Sequence, residues 1–332
     1  MVILDLLRLM TGLPDGGTGE VAIGSAEDLV LAHRWYAHSG NTIVEEDIDA
    51  ADIGTLIVRR GHAPDPRDAL GPDRMPGARL WLYTNFHCNL ACDNCCVSSS
   101  PHAPRRELGL DRITRLVTEA AEWGVGEIYL TGGEPFLLPD IDTIVRTYMN
   151  ALPTTVLTNA MVFKGRGLRA LESLPREGLA LQISLDPATP DLHDSHRGAG
   201  SWAKAIAGIQ LATELGFRVQ IAATIASPKP GTITALHDFC DQLGIERGDQ
   251  LIRPVARQGA AVKGLIMTPE SLVPEVTVTA DAIYWHPVAA TDDQALVTRR
   301  IEPLRPALDE IHHRFTQQWA VAATAAALFA CA

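Results

Sequence analysis

Between residues 80 and 254 the chain alternates short apolar runs with longer amphipathic ones, and this alternation restricts the fold more than any other feature. The short runs, rich in β-branched and aliphatic residues, fall at Leu80–Phe86, Glu127–Thr131, Thr154–Thr158, Leu179–Leu185, Arg218–Thr224 and Gln250–Pro254. Helical periodicity fills Gly109–Trp123, Ile141–Ala151, Gly165–Leu174, Ser201–Leu215 and Thr232–Leu243. Strands alternating with helices in this way read as repeated βα units with a parallel sheet. Right-handed crossovers curl such a sheet into a barrel or part of one. The expected fold class is α/β, a partial (β/α)6 TIM-type barrel over residues 78–255.

Two flanking regions break the pattern. Residues 1–60 read as a small α/β unit: a helix at Val2–Met10, a strand at Glu20–Ile23, a helix opened by Ser25 and closed at Ser39-Gly40, then paired strands at Thr42–Val44 and Gly54–Val58. The Ser25-Ala-Glu-Asp start has a capping pattern. Residues 61–77, rich in proline and glycine, read as a linker. Beyond Pro254, residues 256–332 read as an extension, with a hairpin in Glu275–Trp285 turning at Ala280-Asp281. One long helix or two shorter ones follow from Arg299.

With 40 acidic against 28 basic residues the net charge is −12. That balance argues against nucleic-acid and anionic-membrane partners, which need clustered lysine and arginine. The opening MVILDLLRLM reads as an amphipathic helix rather than a signal peptide, and Ala320–Ala332 is too short an apolar run to cross a bilayer. A cytoplasmic protein is the expectation. Its cysteines are 88, 92, 95, 96, 240 and 331. Four within one short stretch suit metal or cluster ligation better than a disulfide framework.

That stretch, Phe86-His-Cys-Asn-Leu-Ala-Cys-Asp-Asn-Cys-Cys, follows the first strand of the alternating region. Its spacing is C-x3-C-x2-C, and Cys88, Cys92 and Cys95 are the candidate metal ligands. Three thiolates can each hold one iron of a cubane and leave the fourth iron open. Structural zinc sites are closed by four ligands, usually from paired knuckles, and no second knuckle exists here. Spacing alone leaves zinc and plain buried thiols in play. A loop at the carboxyl end of a barrel strand is where active sites sit in such folds.

Further motifs end the later strands in order: Leu130-Thr-Gly-Gly-Glu-Pro, Thr158-Asn-Ala, Ile183-Ser-Leu-Asp, then His193-Asp and Arg197-Gly. With CNLACDNC they resemble the signature of the radical S-adenosylmethionine (SAM) superfamily over about residues 78–255. The resemblance implies one [4Fe–4S] cluster on Cys88, Cys92 and Cys95, with SAM chelating its open iron. It implies that Gly132 and Gly133 let the backbone approach the methionine moiety and that Glu134 accepts from the SAM ammonium. Asn159 offers a donor and an acceptor. Ser184 and Asp186 bind ribose hydroxyls or stabilise the pocket, and Arg197 pairs with the SAM carboxylate or with a surface carboxylate. The family often has an aromatic residue just before the third cysteine; here it is Asn94, so adenine packing differs. Cys96 reads as a neighbour pointing away from the cluster.

The chemistry so implied is reductive SAM cleavage to a 5′-deoxyadenosyl radical, which takes a hydrogen atom from a peptide or small-molecule substrate. An electron donor such as flavodoxin or ferredoxin is the implied partner. Arg253-Pro254…Gly259-Ala260-Ala261 and the hairpin resemble the start of SPASM or twitch extensions, yet the place of their next cysteine reads Trp285-His286-Pro287-Val288. With only Cys331 downstream, an auxiliary cluster is not expected. Cys331 is a candidate hydrogen-atom donor or a packing thiol, Cys240 a core residue, and His286, His312 and His313 read as solvated or packing. Residues 2–60 resemble the small sulfur carrier TusA, through the helix ending in Leu13-Pro14, the helix with Trp35…Gly40 and the final paired strands. That family carries a cysteine at its first helix and this unit carries none. It reads as a trimmed carrier or as a docking module for a sulfur carrier or other partner. Two other readings are a cluster- or zinc-binding interaction protein without SAM cleavage, and a sulfur-transfer-linked radical SAM enzyme.

Overall fold

The computed structural model describes residues 2–14, 16–61, 67, 70–186, 188–225 and 230–328. It divides into two compact units, Met1–Pro72 with His313–Ala332, and Asp73–His312.

In the first unit α1 (Val2–Gly12), β1 (Thr18–Ile23), α2 (Ala26–Ser39), β2 (Thr42–Ile48) and β3 (Gly54–Arg59) follow in order. The strands make an antiparallel sheet ordered β1-β3-β2. Val2, Leu6 and Met10 repeat every four residues along α1, which puts them on one helical face. They are buried with Val21, Ile23, Leu56 and Val58 of the sheet and with Ala32 and Tyr36 of α2. The Ser25 hydroxyl accepts from the Asp28 N–H at 3.2 Å, starting α2 as its sequence implies. Of the expected linker, residues 62–66, 68 and 69 lie outside the described residues.

The second unit is built on a sheet of nine strands. Six of them, β4 (Arg79–Tyr83), β5 (Glu127–Thr131), β6 (Thr154–Thr158), β7 (Leu179–Ser184), β8 (Arg218–Ile225) and β9 (Gln250–Pro254), run parallel in chain order. Their helices are α3 (Leu110–Trp123), α4 (Ile141–Met149), α5 (Arg166–Ser173), α7 (Ser201–Glu214) and α8 (Pro230–Gln242). Parallel strands covered on both faces read as near-continuous apolar runs. Accordingly Leu80, Leu82, Ile128, Leu130, Val156, Leu181, Ile183 and Ile221 are all buried. On α3 the buried Ile113, Leu116, Val117 and Ala120 form one stripe against the sheet. Cys240 is buried on α8, as expected of a core residue.

Two features differ from the sequence reading. A helix not expected from periodicity, α6 (Pro190–Arg197), precedes α7; only His193 of it is buried, so it carries no apolar stripe. The extension, read from the sequence as a hairpin and helix outside the βα repeat, adds strands to the sheet at one edge. Its hairpin forms, but β10 (Val276–Val278) pairs parallel with β4, and β11 (Ile283–Tyr284) and β12 (Leu296–Thr298) continue outward. The sheet order is thus β12-β11-β10-β4-β5-β6-β7-β8-β9, and the sheet is open, with β12 and β9 at its edges. The C-terminal helix is a single α9 (Arg305–Leu328).

Candidate active site

The cysteines sit on a loop closed at its base. His87 bridges Ser100, and the Cys88 N–H donates to the Ser100 carbonyl at 3.2 Å. Inside the loop the Leu90 N–H donates to Cys88 Sγ (3.4 Å) and the Ser99 N–H to Cys95 Sγ (3.3 Å). Cys88, Cys92 and Cys95 line one cavity of about 210 Å³, together with Gly132, Gly133, Asn159, Ser184 and Arg197. Tyr83 of β4 and Arg253 of β9 line it as well, although four strands separate them in the sheet, so the sheet curls round this space. Burial pushes the Cys88 thiol up to about 12 and raises Cys92, the latter against the pull of the Arg197 guanidinium.

The glycine pair has a specific neighbour. A Cβ on Gly133 would lie 2.2 Å from the His87 carbonyl oxygen, and one on Gly132 would lie 2.2 Å from Asn85 Oδ1. The Gly133 N–H donates to the Asn85 carbonyl and the Glu134 N–H to the His87 carbonyl, both at 3.0 Å. The missing side chains therefore let the loop after β5 lie flat against the segment that leads into Cys88.

Glu134 is not among the residues facing the cavity, in contrast to the expectation that it meets an ammonium. It is 1% exposed. Its Oε1 accepts from the Phe136 N–H (3.1 Å) and the Thr158 hydroxyl (2.8 Å), and its Oε2 from the Asn159 N–H (2.8 Å). Burial raises its pKa to about 7 against these three donors. The carboxylate thus braces the end of β5 to the end of β6. Asn159 carries the brace onward, donating from Nδ2 to Asn89 Oδ1 at 2.8 Å and lying 3.9 Å from Cys88 Sγ.

A second brace closes the opposite side. Arg197, at the end of α6, donates to both oxygens of Asp186 at 2.6 and 3.2 Å, with side-chain exposures of 11% and 0%. Asp186 also accepts from the Thr224 N–H (2.9 Å) and from Asn94 Nδ2 (3.4 Å). Burial works to raise the Asp186 carboxyl, but Arg197 and Thr224 outweigh it and hold it low. The protein partner expected for Arg197 is a surface carboxylate; the structure instead pairs it with the wholly buried Asp186. Arg197 still reaches to 4.0 Å from Cys92 Sγ. His193, one turn earlier on α6, is wholly buried, and neither ring nitrogen has a partner. Burial lowers its pKa to about 4.

The far wall corrects two readings. Cys96 faces the cavity rather than away from it, and the Tyr83 hydroxyl beside it donates to the Pro287 carbonyl at 2.8 Å. His286 also lines the cavity. Its Nδ1 accepts from the Val288 N–H at 3.1 Å. Neither residue has a spacing that announces it; strands at opposite sides of the sheet bring them in. Cys331 lies outside the described residues.

The residues present fit a polynuclear iron–sulfur group. Among the described residues no three His, Cys, Asp or Glu side chains converge on a point that could hold a single ion. The three thiols instead share the wall of one cavity, and three thiolates are the donor set of a site-differentiated cubane. Ser99 Oγ, buried in the same wall and without a partner, adds an unused polar atom beside Cys95.

An open, curled sheet with six parallel strands and cysteines on the loop after the first of them is a partial-barrel domain with a thiol-lined cavity at the strands' carboxyl ends. Residues 82–230 match the radical SAM superfamily, and this stretch is a radical SAM domain. Members of that superfamily bind a [4Fe–4S] cluster and SAM. The chain is 31% identical over 160 residues to an AdoMet-dependent heme synthase of Methanosarcina barkeri, covering 47% of this chain and 45% of that protein. It is 39% identical over 149 residues to molybdenum cofactor biosynthesis protein 1 of Drosophila melanogaster (43% and 26%). Mycofactocin maturase MftC of Mycobacterium ulcerans is 29% identical over 188 residues (55% and 49%). The chain thus spans less than half the length of each of these relatives. Native anSMEcpe with bound AdoMet superposes with a TM-score of 0.56 at 12% identity, over 73% of this chain and 84% of that one, and shows the same fold. No helix among the described residues is long and apolar enough to cross a membrane.

Proposed function

We propose that this chain is a radical SAM enzyme that abstracts a hydrogen atom from a peptide or small-molecule substrate in a maturation or biosynthetic pathway. The observation that carries the reading is the convergence of Cys88, Cys92 and Cys95 with Gly132, Gly133, Asn159, Ser184 and Arg197 on one cavity. When bound, the cluster and SAM supply the electron transfer and the 5′-deoxyadenosyl radical; that hard chemistry belongs to the cofactors. The protein's part is to hold and orient. Cys88, Cys92 and Cys95 are the cluster ligands in this reading. Gly132, Gly133, Asn159 and Ser184 form the SAM wall, while Glu134 and the Asp186–Arg197 pair are positioning residues behind it. Curling the sheet round the cavity restricts water.

Relatives named as maturases and cyclases support a peptide or cofactor-precursor substrate. The reading carries with it a cytoplasmic, reducing compartment and an electron donor such as flavodoxin or ferredoxin. For the cysteine-free N-terminal unit it suggests partner docking rather than sulfur carriage.

The test is anaerobic. Protein reconstituted with iron and sulfide, given SAM and dithionite, forms 5′-deoxyadenosine, and the Cys88/Cys92/Cys95 triple alanine variant forms none. A wild-type protein with a full cluster and no product, or equal product from the triple variant, sinks the proposal.

A further inference from the structure

We propose that Arg253 and His286 form a carboxylate-binding subsite for the substrate, on the cavity wall away from the glycine loop. This rests on the reading above, in which the cavity takes a substrate beside SAM. The argument begins with charge. Among the described residues lining the cavity there are two arginines, Arg197 and Arg253, and no aspartate or glutamate. Arg197 is neutralised by Asp186 behind it. Arg253 is exposed on this wall, and it has no ion pair or hydrogen bond among the described residues in a chain of net charge −12. It stands at the carboxyl end of β9, the strand end at which parallel α/β sheets bind ligands.

His286 supplies the second half. Because its Nδ1 accepts from the Val288 N–H, the neutral ring carries its proton on Nε2, which makes no hydrogen bond among the described residues. Burial, helped by Arg253, lowers its pKa to about 4, so it is a neutral donor at pH 7. The wall therefore offers one uncompensated positive charge with a forked donor, and one neutral N–H. That pair matches a carboxylate, a single negative charge with two acceptor oxygens. A phosphate dianion would leave one charge unanswered.

The experiment uses the reconstituted protein without SAM, its cluster reduced by dithionite, and reads ligand relaxation caused by the paramagnetic reduced cluster; SAM is then added as a competitor. The probes are ¹³C-acetate, inorganic phosphate and methylammonium. Acetate is expected to show saturable broadening, weakened about tenfold or more in Arg253→Gln and less in Arg253→Lys, which keeps the charge and loses the fork. Iron content and melting temperature check that each variant is folded. Equal acetate affinity in wild type and Arg253→Gln overturns the subsite. So does displacement of acetate by SAM, or phosphate binding more tightly than acetate through Arg253. Wild-type protein that binds acetate through Arg253 yet forms no 5′-deoxyadenosine upholds the subsite and overturns the catalytic reading instead.

Discussion

Substituting Gly133 by alanine tests how the glycine loop holds the cysteine loop. The new Cβ would meet the His87 carbonyl oxygen at 2.2 Å, its carbon at 2.5 Å and the Phe86 carbonyl carbon at 2.9 Å, all backbone atoms. Ordinary contact needs roughly 1 Å more, and no flexible side chain is there to give way. Forcing the two segments apart costs about 1–3 kcal/mol as overpacking. It also weakens the hydrogen bonds from Gly133 to Asn85 and from Glu134 to His87. Each contributes about 0.5–1.5 kcal/mol net, so the total comes to roughly 2–6 kcal/mol. In a unit of this size 1 kcal/mol shifts the melting temperature by roughly 2–4 °C, so Gly133→Ala should lower it by at least about 4 °C. His87 directly precedes Cys88, so iron bound per chain after reconstitution should fall too. Gly231→Ala is the control: its Cβ meets nothing within 4 Å, and on α8 alanine is neutral or stabilises by up to about 1 kcal/mol. A Gly133→Ala protein that melts within about 1 °C of wild type and binds full iron would refute the close-approach reasoning.

Three other predictions concern the two braces and the buried His193. Arg197→Met leaves Asp186 charged, buried and unpaired, and should destabilise by about 3–5 kcal/mol, with Asp186→Asn added to it restoring part of the loss in denaturant melts. His193 is depressed from its unfolded value near 6.5 to about 4, so the native state binds fewer protons than the unfolded state between those values. Stability should fall as pH drops through that window, by about 1.4 kcal/mol per unit, and His193→Leu should flatten this limb; parallel wild-type and variant curves would speak against it. Thr158→Val removes a donor to Glu134, and should cost about 1 kcal/mol by thermal melt while the iron content is retained.

The barrel strands were legible because a strand buried on both faces prints as an unbroken apolar run. Glu127–Thr131 and Thr154–Thr158 match the structure residue for residue, as does the mostly exposed edge strand Gln250–Pro254, which is no apolar run. Helix α6 was not legible as a helix, since Pro-Asp-Leu-His-Asp-Ser-His-Arg has one buried position and no stripe; the proline at its first turn was its one local signal. Nor could the hairpin pattern of residues 275–285 say which edge it joins. Its pairing with β4 brings together residues far apart in the chain. The cysteine loop and glycine pair could be read from local spacing. That the Glu134 carboxylate faces β6, and that Cys96 and His286 share a wall, depends on how the sheet curls, which no local spacing encodes.

The hold on the cysteine loop draws on segments far apart in the chain. Gly259 packs with its Cα side against the carbonyls of Cys95 and Cys96, where a Cβ would lie 2.4–2.5 Å away, and the Ala260 N–H donates to the Cys95 carbonyl at 2.9 Å. The loop leaves the first of the six parallel strands, whereas its clamp follows the last. A chain that stops short of that strand therefore lacks part of the hold on the cysteine loop. The full set of contacts that holds the cysteine loop needs the sixth strand and the turn after it in place.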